Sequence, residues 1–267
     1  MADSEIKTIG QALATTGLFK NSKVMTCDVH GEYKAYEMPG GGALSRCGKC
    51  LDQEAAERRR LEHEERLRAA EEANQKALVR DACIPPRFAG RTLDSFVAHN
   101  DGAKRALAVA RSYVEDFEAL SAEGTSLIFC GGVGTGKTHL AVGIAHAVLA
   151  MKLRVRFASV MTAVRTVKET YSKGSDDTER DALNEFIYPR LLVLDEVGAQ
   201  FGSDTEKLIL FEIINGRYEQ MKPTVVISNL AKEALGEFIG ERSIDRLREN
   251  GGRLVAFDWA SYRRQAA

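Results

Sequence analysis

The sequence predicts an α/β fold: a parallel sheet flanked by helices, preceded by a small metal-binding domain and a long charged helix. Three observations predict it. The run Ser126-Leu-Ile-Phe-Cys130 reads as a buried strand and leads directly into Gly131-Gly132-Val133-Gly134-Thr135-Gly136-Lys137-Thr138. About sixty residues further on, Leu191-Leu-Val-Leu-Asp195-Glu196 is a second apolar strand, ending in two acids. Between and beyond them, apolar strands alternate with helical patterns, the arrangement that gives a parallel sheet covered on both faces.

The glycine-rich stretch carries the most specific chemistry. Its glycines let successive backbone N–H groups turn inward and cradle phosphate oxygens. Lys137 brings a positive charge to the β- and γ-phosphates, and Thr138 offers a hydroxyl to Mg²⁺. The helix that follows, through His139, Leu140, Ile144, Ala147 and Val148, points its positive N-terminal end at the same anion. A full GxxxxGK[ST] between a strand and an amphipathic helix implies a nucleoside triphosphate site. Asp195 is placed to hold the Mg²⁺ shell, and Glu196 to orient and polarise the attacking water. The strand Thr224-Val-Val-Ile-Ser228 ends at Asn229, a polar residue at a strand tip and a candidate hydrogen-bond donor to the γ-phosphate or the water.

The remaining strands and helices follow in order. Residues 101–120 form an amphipathic helix with Ala106, Val109, Ala110, Tyr113, Val114 and Phe117 on its inner side. Arg154–Ala158 alternates like a strand, helices run over 160–172 and through Leu183 and Phe186, and another covers 204–221. In Gly240-Glu-Arg242-Ser-Ile-Asp-Arg246-Leu-Arg248, Arg242 and Arg246 share a helix face. That face is either an ordinary basic surface or an arginine finger offered to a neighbouring subunit. Arg217 is a weaker interface candidate.

Ahead of this core lie Cys27-Asp-Val-His30 and, sixteen residues later, Cys47-Gly-Lys-Cys50. Two C-x₂-[CH] knuckles joined by a glycine-bearing hairpin suit a closed, structural tetrahedral Zn²⁺ site. Such a small unit has little core, so the metal would hold it together. Cys83 and Cys130 stand apart and are expected to be buried small hydrophobes. A short helix is expected over 5–16. From Leu51 to Arg80 the composition turns to Glu, Arg and Ala with few large apolar residues, a solvated helix that Pro85-Pro86 ends. The expected domains are 1–51 (zinc-binding), 52–84 (charged helical linker) and 85–267 (ATPase).

Composition bounds the function. A formal net charge of −1 offers no overall basic excess, so any nucleic-acid site must be local. No apolar run reaches membrane-span length and the N-terminus lacks a signal-peptide layout, so a cytoplasmic protein with reduced cysteines is expected.

Together the P-loop, Leu-Val-Leu-Asp-Glu, Ile-Ser-Asn, Gly-Glu-Arg-Ser-Ile-Asp-Arg-Leu and Phe257-Asp-Trp-Ala-Ser-Tyr262-Arg263 resemble DnaC-type helicase loaders of the DnaC/IstB-like family, over roughly 84–264. The Cys27–Tyr33 and Cys47–Cys50 pieces are similar to the zinc-bearing N-terminal domain of many DnaC-like proteins. The resemblance implies an AAA+ ATPase fold, ATP with Mg²⁺, and loading of the hexameric replicative helicase (DnaB-type) onto single-stranded DNA. It implies that the N-terminal domain grips the helicase and that the AAA+ domains self-associate around DNA. It gives Arg246 the arginine-finger role with Arg242 beside it, makes Asn229 sensor I, and matches Lys168 and Tyr171 to a DNA-touching helix. An IstB-like transposition helper ATPase has closely similar core motifs and is the rival reading; the zinc knuckles and Ile84-Pro-Pro-Arg-Phe88 favour the loader.

Overall fold

The computed structural model describes residues 21–38, 42–172, 177–199 and 203–262. The helix expected over 5–16 lies outside them. The chain divides between Ala73 and Asn74 into two compact units.

In the first unit, β1 (Ser22–Cys27) and β2 (Gly31–Tyr36) form an antiparallel hairpin in which Cys27 faces Gly31. Helix α1 (Gly48–Asp81) starts inside the second cysteine knuckle and runs for 34 residues with none buried. It has no apolar stripe, so nothing in it demands a core. Among its ion pairs, Glu54 joins Arg46 just before the helix, and Arg60 joins Glu57 at i,i+3 and Glu64 at i,i+4. All are exposed, and such pairs contribute little stability.

The sequence reading put a boundary at 84/85. The units divide earlier because the end of α1 and the residues after it pack into the second unit. Gln75 donates to Leu149 O, Ala82 is fully buried, Ala82 O accepts from the Phe157 N–H, and Leu78 and Ile84 rest on the core. The helix stops at Asp81, before the prolines, and Cys83 takes a left-handed φ of 52°.

The second unit then carries α2 (Asp101–Glu115), α3 (Phe117–Ala122), β3 (Leu127–Gly131), α4 (Lys137–Ala150), β4 (Val155–Ser159), α5 (Val160–Glu169), α6 (Glu179–Ile187), β5 (Leu191–Val197), α7 (Asp204–Glu219), β6 (Thr224–Ser228), α8 (Lys232–Ile239), α9 (Glu241–Arg248) and β7 (Arg253–Phe257). Here the helix expected over 101–120 breaks at Asp116 into α2 and α3. Strand β7 was not visible in the sequence pattern. The five strands lie in the order β4-β5-β6-β3-β7, all parallel.

Period-two alternation explains how both faces are filled. Leu127 and Phe129 of β3, Leu191 and Val193 of β5, and Val225 and Ile227 of β6 join α2 and α4 in one core layer. Ile128, Leu192, Leu194 and Val226 face the other way, against α5, α6, α7, α8 and α9. The apolar strands are therefore continuous runs, because neither side meets water.

Two expectations are corrected. Cys83 is exposed, its sulfur 2.8 Å from Arg156 Nη1, because the turn after α1 lifts it off the core; Cys130 is buried as expected. Arg217 is not an interface residue: it is completely buried on the inner face of α7. Its guanidinium donates to Phe186 O, Ile187 O and Pro189 O at the end of α6, to Pro223 O, and to Thr224 Oγ1. Those acceptors are the spent carbonyls of a helix C-terminus and of the turn before β6, so one cation satisfies a cluster of buried oxygens. Burial lowers its pKa to about 9, which leaves it protonated at neutral pH. Replacing Arg217 by Ala should destabilise the protein by ~3 kcal/mol or more, since five acceptors would be stranded. Urea unfolding of the variant checks this.

Candidate functional site

The site is built at the C-terminal edge of the sheet, where a parallel fold brings its strand ends together. β3 ends at Gly131, and the loop 132–136 carries the chain into α4. Gly136 sits at φ 99°, and a Cβ there would meet the Phe96 ring at 2.6 Å, so only glycine fits. Thr135, buried, closes the loop by donating from Oγ1 to Gly132 O at 2.8 Å. Lys137 is 5% exposed, and its ammonium donates to Gly131 O and Gly132 O at 2.8 and 2.7 Å. Its charge is thus held over the mouth of the loop. Val133 and Gly132 are exposed at the loop's crest.

Thr138 Oγ1 donates to Asp195 Oδ2 at 3.1 Å. This one contact brings the P-loop and the acidic strand end together, as the sequence predicts, although β6 lies between their two strands. A hydroxyl and a carboxylate side by side are hard oxygen ligands of the kind Mg²⁺ takes. Burial raises the Asp195 pKa, partly offset by the Glu196 N–H and Thr138.

Glu196 follows on the solvent side, exposed, with φ 62°. The β5–β6 register shifts between Leu194 and Val197, and this bulge turns Glu196 out of the ladder. Its N–H donates to Asp195 Oδ1 at 2.7 Å. A glutamate in the left-handed region is strained, and such strain concentrates where a side chain must be aimed. Nothing in the residue pattern announced it. Asn229 lies exposed just past β6, and Ser228 Oγ ties that tip to Val197 O at 2.6 Å. Glu196 and Asn229 therefore flank neighbouring strand ends.

His139 is placed otherwise than its neighbours. Its Nε2 lies 2.9 Å from Thr92 O and 3.0 Å from Ser95 Oγ, and its ring stands edge-on to Phe96. The side chain thus pins the segment 92–96 to α4, which leaves the backbone N–H as its contribution to an anion. Burial lowers its pKa.

Arg246 lies over two rings of α7, with Cζ 5.0 Å from the Phe211 centroid and 5.5 Å from that of Tyr218. Its Nη1 is buried without a hydrogen-bond partner among the described residues. Arg242, one turn earlier, is exposed. Lys168 makes an ion pair with Glu206 at 3.4 Å. Tyr171 exposes half its ring, and its hydroxyl donates to Glu179 at 2.5 Å, which raises its pKa to about 12.

In the first unit, Cys27 Sγ, His30 Nδ1, Cys47 Sγ and Cys50 Sγ all lie within 4.8 Å of one another. Nδ1 is 3.8 Å from Cys27, 3.8 Å from Cys47 and 3.3 Å from Cys50, and the Cys27 and Cys50 sulfurs are 3.5 Å apart. Tetrahedral zinc with three sulfurs and a nitrogen has ligand–ligand edges of about 3.5–3.8 Å, so these residues fit it. The N–H groups of Val29 and His30, with the His30 ring, lower Cys27 to about 6. Its hydrogen bond to Cys27, then burial, raises Cys50 to about 11. A thiolate beside a thiol that resists ionising is a set of ligands a cation would reconcile.

A model of the family described as IstB-like ATP binding protein matches residues 42–266. The chain belongs to that family. It is 34% identical over 180 residues to the replicative helicase loader DnaC of Escherichia coli (strain K12), covering 67% of this chain and 72% of that protein. The crystal structure of the DnaC helicase loader is similar with a TM-score of 0.58 and 28% identity, covering 64% of this chain and 99% of that one. AMPPCP-bound DnaA from Aquifex aeolicus is similar with a TM-score of 0.54 and 26% identity, over 65% of this chain and 51% of that one. The parallel sheet is that of an AAA+ P-loop domain, as expected. Among the described residues, no helix is long and apolar enough to cross a membrane.

Two outcomes follow for the site. Lys137→Ala should weaken ATP binding on the order of 100-fold, read by calorimetric titration, since a charge-assisted phosphate contact is removed. Glu196→Gly should raise stability by roughly 1 kcal/mol in denaturant unfolding, by relieving the left-handed strain, while ATP hydrolysis falls to background.

Proposed function

We propose that this protein is an ATP-dependent loader of a hexameric replicative helicase of the DnaB type onto single-stranded DNA. The observation that carries the reading is the union of Lys137, Thr138 and Asp195 at one sheet edge in a chain a third identical to a helicase loader. Residues 131–139 take the triphosphate, Thr138 and Asp195 the Mg²⁺, and Glu196 and Asn229 the attacking water. When bound, Mg²⁺ would neutralise charge that develops on the phosphates. Hydrolysis acts as a switch for assembly and release rather than as metabolism.

On this reading the AAA+ domains self-associate, and Arg246, with Arg242 beside it, completes the site of a neighbouring subunit. The Phe211 and Tyr218 rings back the Arg246 guanidinium, and Arg242, one turn earlier, is exposed. Lys168 would exchange Glu206 for a DNA phosphate, and the exposed Tyr171 ring offers a stacking face for a base. Residues 1–51 form a zinc-bearing, helicase-gripping domain, 52–84 a helical connection and 85–267 the ATPase, in a cytoplasmic protein. The family description keeps an IstB-like transposition helper as the second reading.

The test is capture from extract on the tagged protein with ATP. Recovery of the replicative helicase supports the loader, whereas recovery of a transposase without it contradicts the loader. Glu196→Gln should reduce the ATPase rate at least ~100-fold with binding retained; an unchanged rate removes Glu196 from catalysis and leaves an ATP-binding adaptor. Elemental analysis should find one zinc per chain, lost in Cys47→Ser/Cys50→Ser together with resistance of residues 22–50 to proteolysis. Native material without zinc would overturn the metal assignment.

A further inference from the structure

After β7 the chain does not leave the phosphate loop; it runs back along it. The Gly132 N–H donates to Phe257 O at 3.1 Å, continuing the β3–β7 ladder one residue beyond Gly131. The Trp259 indole N–H then donates to Thr135 O at 3.1 Å, and the Tyr262 backbone N–H to Gly134 O at 3.0 Å. Three hydrogen bonds thus lace residues 257–262 to a loop of five.

The approach is too close for side chains on the loop side. A Cβ on Gly131 would run into the carbonyl of Phe257. On its far side the strap is held in turn: the Trp259 ring lies 4.8 Å from that of Phe257, a Cβ on Gly102 would meet it at 2.7 Å, and Tyr262 stacks on His99 at 4.3 Å with the planes 12° apart. Trp259 is the one tryptophan of the chain.

The two carbonyls that receive these bonds are consecutive, and each shares a peptide unit with the next N–H. Gly134 O belongs with Thr135 N–H, and Thr135 O with Gly136 N–H. Those N–H groups are the ones a phosphate in this loop would take. A donor on the oxygen side of a peptide unit fixes its orientation and polarises it, strengthening the bond its N–H makes on the opposite side.

We propose that Trp259 is a positioning residue for nucleotide binding, acting through the strap 257–262 to aim the Thr135 and Gly136 N–H groups at the triphosphate. The inference rests on the nucleotide reading above and adds to it a residue outside the P-loop and the acidic strand. It also makes the indole a reporter, because phosphate bound on one side of the Thr135–Gly136 peptide strengthens the indole's bond on the other.

The experiment pairs a variant with a measurement on the unmodified protein. Trp259→Phe keeps an aromatic ring on the strap and removes the indole donor, together with part of the indole's packing. Its Kd and KM for Mg–ATP should rise about three- to tenfold, the scale of one neutral hydrogen bond, with kcat at saturation unchanged. In the unmodified protein, indole-selective emission should shift on titration with Mg–ATP and saturate with binding. Affinity in Trp259→Phe equal to the parent's, or parent emission indifferent to saturating nucleotide, would each overturn the proposal. Should the variant fail to fold, the emission titration alone decides. A parent that binds no nucleotide at all would overturn the phosphate-binding reading first, and this inference with it.

Discussion

A hydrogen bond between Thr138 and Asp195 joins two strand ends that are not neighbours in the sheet. It exists because every strand of the second unit runs the same way. Parallel order sends the glycine loop after β3, the acids after β5 and Asn229 after β6 to one edge, and sends the buried Arg217 and its carbonyls to the opposite one. Were one of these central strands reversed, the loop, the Thr138 and Asp195 oxygens and the Glu196 side chain could not meet. The two core layers, built from alternate residues of the same strands, hold that edge rigid from both faces.

On this frame the site stores local tension. Glu196 keeps a left-handed backbone at a bulge, and Gly136 occupies a position that Phe96 closes to any side chain. Asp195 is held where burial raises its pKa. Each of these features opposes stability slightly, and each points a group toward the same space. The cysteine cluster in the first unit shows the same opposition in another form, with Cys27 eased toward the thiolate and Cys50 pushed away from it.

The P-loop and the acidic strand were legible in the sequence because their chemistry is local: consecutive residues do the work, and their spacing survives without knowledge of the fold. The clustering of Cys27, His30, Cys47 and Cys50 was legible for the same reason. What escaped depends on long-range packing. Arg217 looks like any surface arginine in a helix until α6 and the turn before β6 deliver their carbonyls to it. Cys83 seemed a small buried residue, and one left-handed turn exposes it. The stretch leaving α1 reads as linker, yet Ala82 just past the helix is in the core, its carbonyl accepting the Phe157 N–H of β4. Strand β7 has too short and mixed a pattern to be read alone, and its partnership with β3 is what brings Trp259 to the loop.

In the proposed loader, nucleotide held at this edge in one subunit is completed by α9 of the next when the protein meets a ring helicase. Imaging the protein with its cognate hexameric helicase, ATP and single-stranded DNA tests this most directly. The expected result is several copies arranged in succession on the ring, with Arg246 of one facing the triphosphate of its neighbour and DNA passing beside Tyr171. Copies bound singly with α9 turned away from any nucleotide, or no association with the ring in any nucleotide state, would contradict it.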